Sequence, residues 1–360
     1  MKIISVAGAP SDIVQAAALH HALAERAEVE HVILWTGRSD DAGLTTLCDE
    51  LEIPRPSPAC CLDVDTGSHG VETGLIMQRL EPPLAELGPD TVLVYGAANA
   101  APAAALVAAK LGSQVGHVEA GLRTRDWTPD EINRVVTDRL ADPLFVPSRD
   151  AIDNLDAEGV AEDRIHFVGS MLIDTLCRAL PRAEALDPAG RRGLARGGYA
   201  LAALRQPAAG RAGLVDLGRR VPVVELPPSE PLGYLETLGL VAAAGLVVTD
   251  SGALQEATSY LGVPCLTVGP KIDRPSTCLH GTNRLVSAEQ VTIVAAASRA
   301  LARRAPVRPV LERWDGGAAE RIVRVVCDGA VFPADAPPAA ATAPQAEPWA
   351  SARPEPALLG

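Results

Sequence analysis

Two stretches decide the fold: Gly116-His117-Val118-Glu119-Ala120-Gly121-Leu122-Arg123-Thr124 and Val248-Thr249-Asp250-Ser251-Gly252-Ala253-Leu254-Gln255-Glu256. Each is an apolar strand that runs into a glycine turn and opens a helical pattern. In an open α/β sheet, ligands bind at that point, outside the carboxyl ends of the strands. The first stretch brings a carboxylate (Glu119) and a guanidinium (Arg123) to that edge, and the second brings the free backbone N–H groups of a helix start. The pair predicts two α/β domains facing a cleft that holds an anionic, phosphorylated ligand.

The surrounding sequence repeats the same alternation. Strands are predicted at Lys2–Ala7, Val29–Leu34, Thr91–Tyr95, Gln114–Glu119, Pro143–Val146 and Ile165–Gly169, with helical patterns such as Asp12–Glu25, Val71–Glu86 and Ala101–Leu111 between them. A second series, Tyr199–Leu204, Val221–Leu226, Gly245–Thr249 and Pro264–Val268, follows an Arg-, Gly- and Pro-rich stretch at Pro181–Gly198. Strands alternating with helices predict parallel sheets covered on both faces. We therefore expect a first domain over residues 1–178, a second, shortened domain over 179–330, and a disordered tail over 331–360. That tail is rich in Pro and Ala from Pro333 onward and offers little apolar surface to offset its ordering entropy.

Composition narrows the function. At 360 residues the chain exceeds what one core supports, and aromatic residues make up only 3%, so the core is built from Ala, Val, Leu and Ile. A net charge of −13 opposes sequence-independent binding to nucleic acid or an anionic membrane, and Arg191-Arg192 and Arg303-Arg304 are too short to reverse it. Seven scattered cysteines without a C-x-x-C pair predict reduced thiols, and the chain opens on a strand with no secretory signal, so the expected location is the cytoplasm. No metal-ligand spacing is present, and Ala7-Gly8-Ala9-Pro10 lacks the glycines of a nicotinamide-binding turn.

Each motif carries two readings. Ser251 either caps a structural helix or, with Gly252 and Ala253, cradles a phosphate at the helix N-terminus. Glu119 is either a general acid or base, with Arg123 holding it or a phosphate, or half of a structural Glu–Arg pair at the domain interface. In Thr128-Pro129-Asp130-Glu131, the two acids either complement a helix dipole or set a second carboxylate opposite Glu119. His117, inside an apolar strand, reads as a satisfied core histidine.

Several of these blocks, in order, resemble the non-hydrolysing UDP-N-acetylglucosamine 2-epimerases: Gly116–Thr124, Pro129–Arg134, Glu230–Leu235, Thr249–Glu256, Arg274-Pro275 and Gly281–Val286. The resemblance implies two Rossmann-like domains in the GT-B arrangement, a homodimer, and a C-terminal helix (Ala318–Val326) returning to the first domain. It also implies a reaction without nicotinamide or metal, in which UDP is eliminated from UDP-GlcNAc to give a 2-acetamidoglucal and re-added to give UDP-ManNAc. By the same resemblance Glu119 is a catalytic carboxylate, Asp130 stands at a second one with Glu131 beside it, and Ser251 and Gly252 belong to the diphosphate turn.

Other positions depart from the family pattern. The first loop reads Gly8-Ala9-Pro10-Ser11-Asp12 where the family carries a phosphate-binding arginine, Ala97 stands at a catalytic aspartate, Arg205 at a catalytic histidine, and Ala257 at a ribose-binding glutamate. Between Arg205 and Tyr234 the chain is expected to lack a strand, its loop and a helix, leaving Val221–Leu226 alone. Two readings follow. One is a divergent epimerase that uses Glu119 with Asp130 or Glu131, and Arg205 as a phosphate clamp. The other is a catalytically inactive paralogue acting as a partner or regulatory subunit of an intact epimerase or other nucleotide-sugar enzyme.

Overall fold

The apolar runs β1 (Lys2–Ala7) and β3 (Thr91–Tyr95) lie side by side in parallel, Ile3 opposite Thr91 and Val6 opposite Val94, at the heart of the first sheet. The computed structural model describes residues 1–205, 210–226, 232–302 and 309–332. Around that central pair are α1 (Pro10–Leu23), β2 (Glu30–Trp35), α2 (Ala42–Leu51), α3 (His69–Leu87), α4 (Ala100–Leu111) and β4 (Gln114–Val118). The first half closes with α5 (Pro129–Leu140), β5 (Leu144–Val146), α6 (Arg149–Ala157) and β6 (Ile165–Phe167). Helix α7 (Met171–Ala185) leads to β7 (Ala200–Ala203), α8 (Arg211–Gly218), β8 (Val223–Glu225), α9 (Tyr234–Ala243) and β9 (Leu246–Thr249). Then come α10 (Gly252–Leu261), β10 (Cys265–Val268), α11 (Ser276–Leu279), β11 (Asn283–Val286), α12 (Gln290–Leu301) and α13 (Ala318–Asp328).

All of these strands pair in parallel. The first sheet runs β2-β1-β3-β4-β5-β6 and the second β11-β10-β9-β7-β8. In each sheet the chain starts in the interior, steps to one side and then to the other, so the strand order reverses between β1 and β3 and again between β7 and β9. A crevice opens at the carboxyl ends of the strands at such a reversal. The loops after β1, β3, β7 and β9 therefore carry the residues that matter: Gly8–Asp12, Gly96-Ala97, Arg205 and Asp250–Gly252.

Strands buried on both faces need continuous apolar runs, and β3 and β9 are buried at every residue. Small side chains let the helices sit close. On one face of the first sheet Ala101, Ala104 and Ala108 of α4 meet Val92 and Val94, and on the other Ile13 and Ala17 of α1 meet Ile3 and Tyr95. Helix α13 returns to the first domain as its resemblance implied. Ala319, Ile322 and Val323 join the α1 face, Asp174 accepts a bond from Ala319 N at 2.7 Å, and Arg26 forms a bidentate pair with Asp328.

Three expectations are corrected. The Pro181–Gly198 stretch does not begin as linker, because α7 continues through Pro181 to Ala185, held by its buried Leu176, Ala179 and Ala183. The chain between Arg205 and Tyr234 keeps a helix as well as a strand. Leu214 and Leu217 of α8 pack with Ile293 of α12, and β8 forms the sheet edge. Strand β11, not foreseen as a strand, pairs with β10. Residues Gln206-Pro207-Ala208, Glu230-Pro231, Arg303-Arg304 and the tail from Pro333 lie outside the described residues. Among the described residues no helix is long and apolar enough to cross a membrane.

Candidate active site

Strand β4 ends in a turn that no local pattern would choose. Glu119 has φ of 66°, a left-handed conformation that costs a residue with a Cβ on the order of 1–3 kcal/mol. The fold holds it there: Gly96 N bonds Val118 O at 3.0 Å, Ala120 N bonds Phe145 O at 3.2 Å, and His117 Nε2 lies 3.0 Å from Gly96 O. The other nitrogen of His117 meets Asp138 Oδ1 at 2.6 Å, so the histidine is a fully engaged core residue, as expected.

Arg123 does not hold Glu119. Its guanidinium bonds Asp138 Oδ2 at 2.7 Å and Glu158 at 2.8 and 2.9 Å, beneath the turn. Burial pushes the Asp138 carboxyl upward, but His117 and Arg123 outweigh it and hold that carboxyl below its usual range. This network braces the turn from behind, so Arg123 realises neither reading: it does not meet Glu119, and its partners are Asp138 and Glu158.

The partner of Glu119 comes from the other domain. Arg274, in the loop after β10, places Nη2 2.7 Å from Glu119 Oε1, Nε 2.6 Å from Glu256 Oε1 and Nη1 2.7 Å from Asp273 Oδ2. Asp273 is shared with Arg134 at 2.7 Å, and Arg134 lies 3.6 Å from Glu131. Alternating charges thus run from Glu131 on α5, through the loop, to Glu119. Ser276 to Asp150 and Lys271 Nζ to Arg125 O (3.3 Å) add further bonds from the same loop to the first domain. Glu256 is fully buried and also bonds Ser170; burial raises its carboxyl to about 7 against the opposing pull of Arg274.

Arg274 also lies against the Gly252 turn at the start of α10. A Cβ built on Gly252 would come within 2.7 Å of its Cζ, so the missing side chain lets the guanidinium lie directly against the turn. Ser251 occupies the N-cap of α10 but its hydroxyl makes no capping bond, and its N–H bonds Thr249 Oγ1 at 3.0 Å. The first turn of α10, including Gly252 and Ala253, therefore faces a cation with no side-chain cap. Positive helix end and guanidinium converge on one point, an arrangement suited to an anion.

The α5 acids divide. Asp130 is exposed and makes no hydrogen bond among the described residues. Glu131 is buried, but both its oxygens are occupied by the loop, accepting from Thr124 N at 2.9 Å and Arg125 N at 2.8 Å. Arg205 stands at the rim with an exposed side chain, its backbone N bonded to Asp250 at 3.0 Å and its Nε 3.8 Å from the same carboxylate. Ala257 packs among Ile173, Leu176 and Leu235, while Glu256 turns to the cleft, as the roughly 100° between neighbouring helical residues dictates.

Sequence reasoning missed Asp12. It is buried at the start of α1, Oδ2 accepting from Gly8 N at 2.9 Å and Ala9 N at 3.0 Å. Burial raises its carboxyl to about 7, the neighbouring Glu119 adding to the rise and the backbone bonds opposing it. An acidic residue just after the first strand of a doubly wound sheet was the available signal.

Comparison with known proteins agrees with this geometry. The sequence model of the UDP-N-acetylglucosamine 2-epimerase family matches residues 21–209 and 207–327. The chain belongs to this family. It is 32% identical to the UDP-2,3-diacetamido-2,3-dideoxy-D-glucuronate 2-epimerase of Pseudomonas aeruginosa, over 84% of this chain and 93% of the relative. It is 30% identical to the UDP-N-acetylglucosamine 2-epimerase of Methanocaldococcus jannaschii, over 91% and 100%. The crystal structure of the M. jannaschii enzyme in complex with UDP-GlcNAc and UDP superposes with a TM-score of 0.83, at 30% identity, covering 91% of this chain and all of that one. A sucrose-phosphate synthase, 13% identical with a TM-score of 0.57, shares the GT-B arrangement alone.

Proposed function

We propose that this chain is a 2-epimerase of a UDP-linked 2-acetamido sugar, working by elimination and re-addition of UDP. The observation that carries the reading is the buried Arg274, which lies on the Gly252 turn and bonds Glu119 at 2.7 Å. A diphosphate held between the start of α10 and Arg274 sets its sugar toward Glu119. There a carboxylate takes the proton from C2 as the C1–O bond breaks, and the cation and N–H groups stabilise the charge that develops on the departing phosphate. Glu119 is the base, Ser251, Gly252 and Ala253 with Arg274 form the diphosphate site, and Arg205 is a rim cation paired to Asp250. Asp130 and Glu131 are not part of this set: the first is exposed and the second holds the loop.

The test is incubation with UDP-GlcNAc, and separately with UDP-2,3-diacetamido-2,3-dideoxy-D-glucuronate, in D₂O. The expected result is the 2-epimer carrying deuterium at C2, seen by NMR. Absence of both exchange and epimer with either sugar overturns the reading. A second reading, a non-catalytic partner or regulatory subunit of an intact family member, is favoured by Ala97 and by the exposure of Asp130. It calls for a stable complex with such a member and an inert chain on its own. Under the first reading the assembly is a homodimer and the site of action is the cytoplasm.

A further inference from the structure

A single carboxylate does not invert C2 without help: one group removes the proton and another must supply a proton to the opposite face. The structure offers one group in the right place. Gly96, at φ of 56°, lets both acids close on one spot: the gap left by its missing Cβ is narrow, and a Cβ there would stand 3.2 Å from Glu119 Oε2 and 3.9 Å from Asp12 Oδ1. The two oxygens that border this gap are the less committed ones. Glu119 gives Oε1 to Arg274, and Asp12 gives Oδ2 to Gly8 N and Ala9 N, leaving Oδ1 only a weak 3.3 Å bond from Ser11. We infer that Asp12 is the second proton-moving carboxylate of this site, acting with Glu119 across the gap above Gly96. The inference rests on the epimerase reading and assigns its missing acid.

The environments of the two acids differ as an acid–base pair requires. Glu119 faces a guanidinium. Asp12 faces no cation among the described residues; Glu119 is the charged group acting on it, and burial raises its carboxyl to about 7. Beyond Glu119 stand Arg274, Glu256 and Asp273, and on β3 the Tyr95 hydroxyl, which is committed to Ser5 Oγ at 2.6 Å. Gln15 lies one turn beyond Asp12 on α1, fully buried with both amide atoms unpartnered.

The atoms balance. Ionised Glu119 takes the C2 proton, the C2–H electron pair becomes the C1–C2 double bond, and the C1–O pair leaves with UDP. Protonated Asp12 then gives its proton to C2 while the diphosphate oxygen re-forms the bond to C1. One proton has passed to Glu119 and one has left Asp12, and exchange with water or the reverse reaction restores the starting state.

The test compares the native chain with Asp12→Asn and Asp12→Glu in D₂O with UDP-GlcNAc, across pH 5 to 9. Asp12→Asn is expected to lose about 10²–10⁴-fold of the epimerisation rate while keeping UDP binding within threefold, and Asp12→Glu to retain measurable turnover. At saturating UDP-GlcNAc, where the weaker binding expected at high pH no longer enters, the native kcat should fall as pH rises through about 7, and the residual kcat of Asp12→Asn should not. If Asp12→Asn does not fold, the alkaline fall in the native profile and the Asp12→Glu rate decide instead. Full turnover in Asp12→Asn, or an alkaline fall that persists in it and so belongs to Glu256, overturns the assignment while leaving the epimerase standing. A native chain with neither exchange nor epimer overturns the epimerase reading itself.

Discussion

Arg274 and Glu119, 155 positions apart in sequence, meet at 2.7 Å across the domain interface, and the bond joins the loop after β10 in one domain to the turn after β4 in the other. One guanidinium serves three carboxylates, Glu119, Glu256 and Asp273, and among the described residues only Asp273 has a second cation, Arg134. An anion entering above Gly252 competes with those carboxylates for Arg274. Contact between the two domains and, under the epimerase reading, capture of the diphosphate therefore depend on the same side chain.

Removing that side chain should expose the dependence. Arg274→Ala leaves Glu119 and Glu256 buried without their cation, and breaking a buried pair from one side costs about 3–5 kcal/mol. The loss should be larger at pH 8 than at pH 5. Glu256 already titrates at about 7 beside Arg274 and moves higher without it, so at pH 5 protonation relieves the uncompensated charge. Urea unfolding of the two proteins at both pH values measures this, and an equal loss at both would contradict the charge argument.

Ligand affinity should follow the same titration. A proton on Glu256 weakens its hold on Arg274 and releases the guanidinium to the diphosphate. UDP-GlcNAc is the appropriate probe because its diphosphate has no proton to lose near neutrality. Calorimetry should give a Kd on the order of 10⁻⁴ M at pH 8, tightening by up to about tenfold per unit toward pH 6. Tighter binding at pH 8 than at pH 6 would reverse the sign and remove Glu256 from the coupling.

The acids themselves separate by substitution. Glu119→Gln keeps the shape but not the base, and should lower deuterium incorporation at C2 by about 10²–10⁴-fold. Asp130→Ala should leave the rate within about twofold and stability within about 0.5 kcal/mol, since its side chain is exposed and unbonded. A large loss of rate in Asp130→Ala would restore it to the mechanism.

The sheets were legible because their signals are local. Runs such as Thr91–Tyr95 and Leu246–Thr249 are buried on both faces and can only be apolar, and Gly252 and Gly121 mark the turns that follow strands. Glu119 was legible for the same reason, as a carboxylate at a strand end. Arg274 was quoted only as part of a family block, because nothing in a loop of the second domain announces a partner on β4 of the first. Asp12 looked like an ordinary helix-start acid, since its backbone bonds to Gly8 and Ala9 are what such an acid makes. Its other oxygen acquires meaning only when β3 places Gly96 beside it. Arg123 was misjudged because Asp138 and Glu158, its actual partners, lie 15 and 35 positions away.

Ala97 offers the sharpest discrimination between a working and an inert chain. It follows Gly96, its carbonyl fixed by Asn133 Nδ2 at 2.9 Å, and family resemblance puts a catalytic aspartate there. If Asp12 has taken over that proton, Ala97→Asp alone adds a third acid beside Asp12 and Glu119, and like-charge repulsion should lower the native rate. In the Asp12→Asn background the same change supplies the missing acid and should recover at least about tenfold of what Asp12→Asn lost. The four proteins form a double-mutant cycle, in which two side chains serving one role give strong non-additivity. A chain whose site has simply decayed behaves oppositely: the native protein is silent, and Ala97→Asp by itself moves it toward activity. Deuterium exchange at C2 measured side by side in all four separates the cases, and a rise in rate on adding Ala97→Asp to the native chain would show that Asp12 never carried the proton.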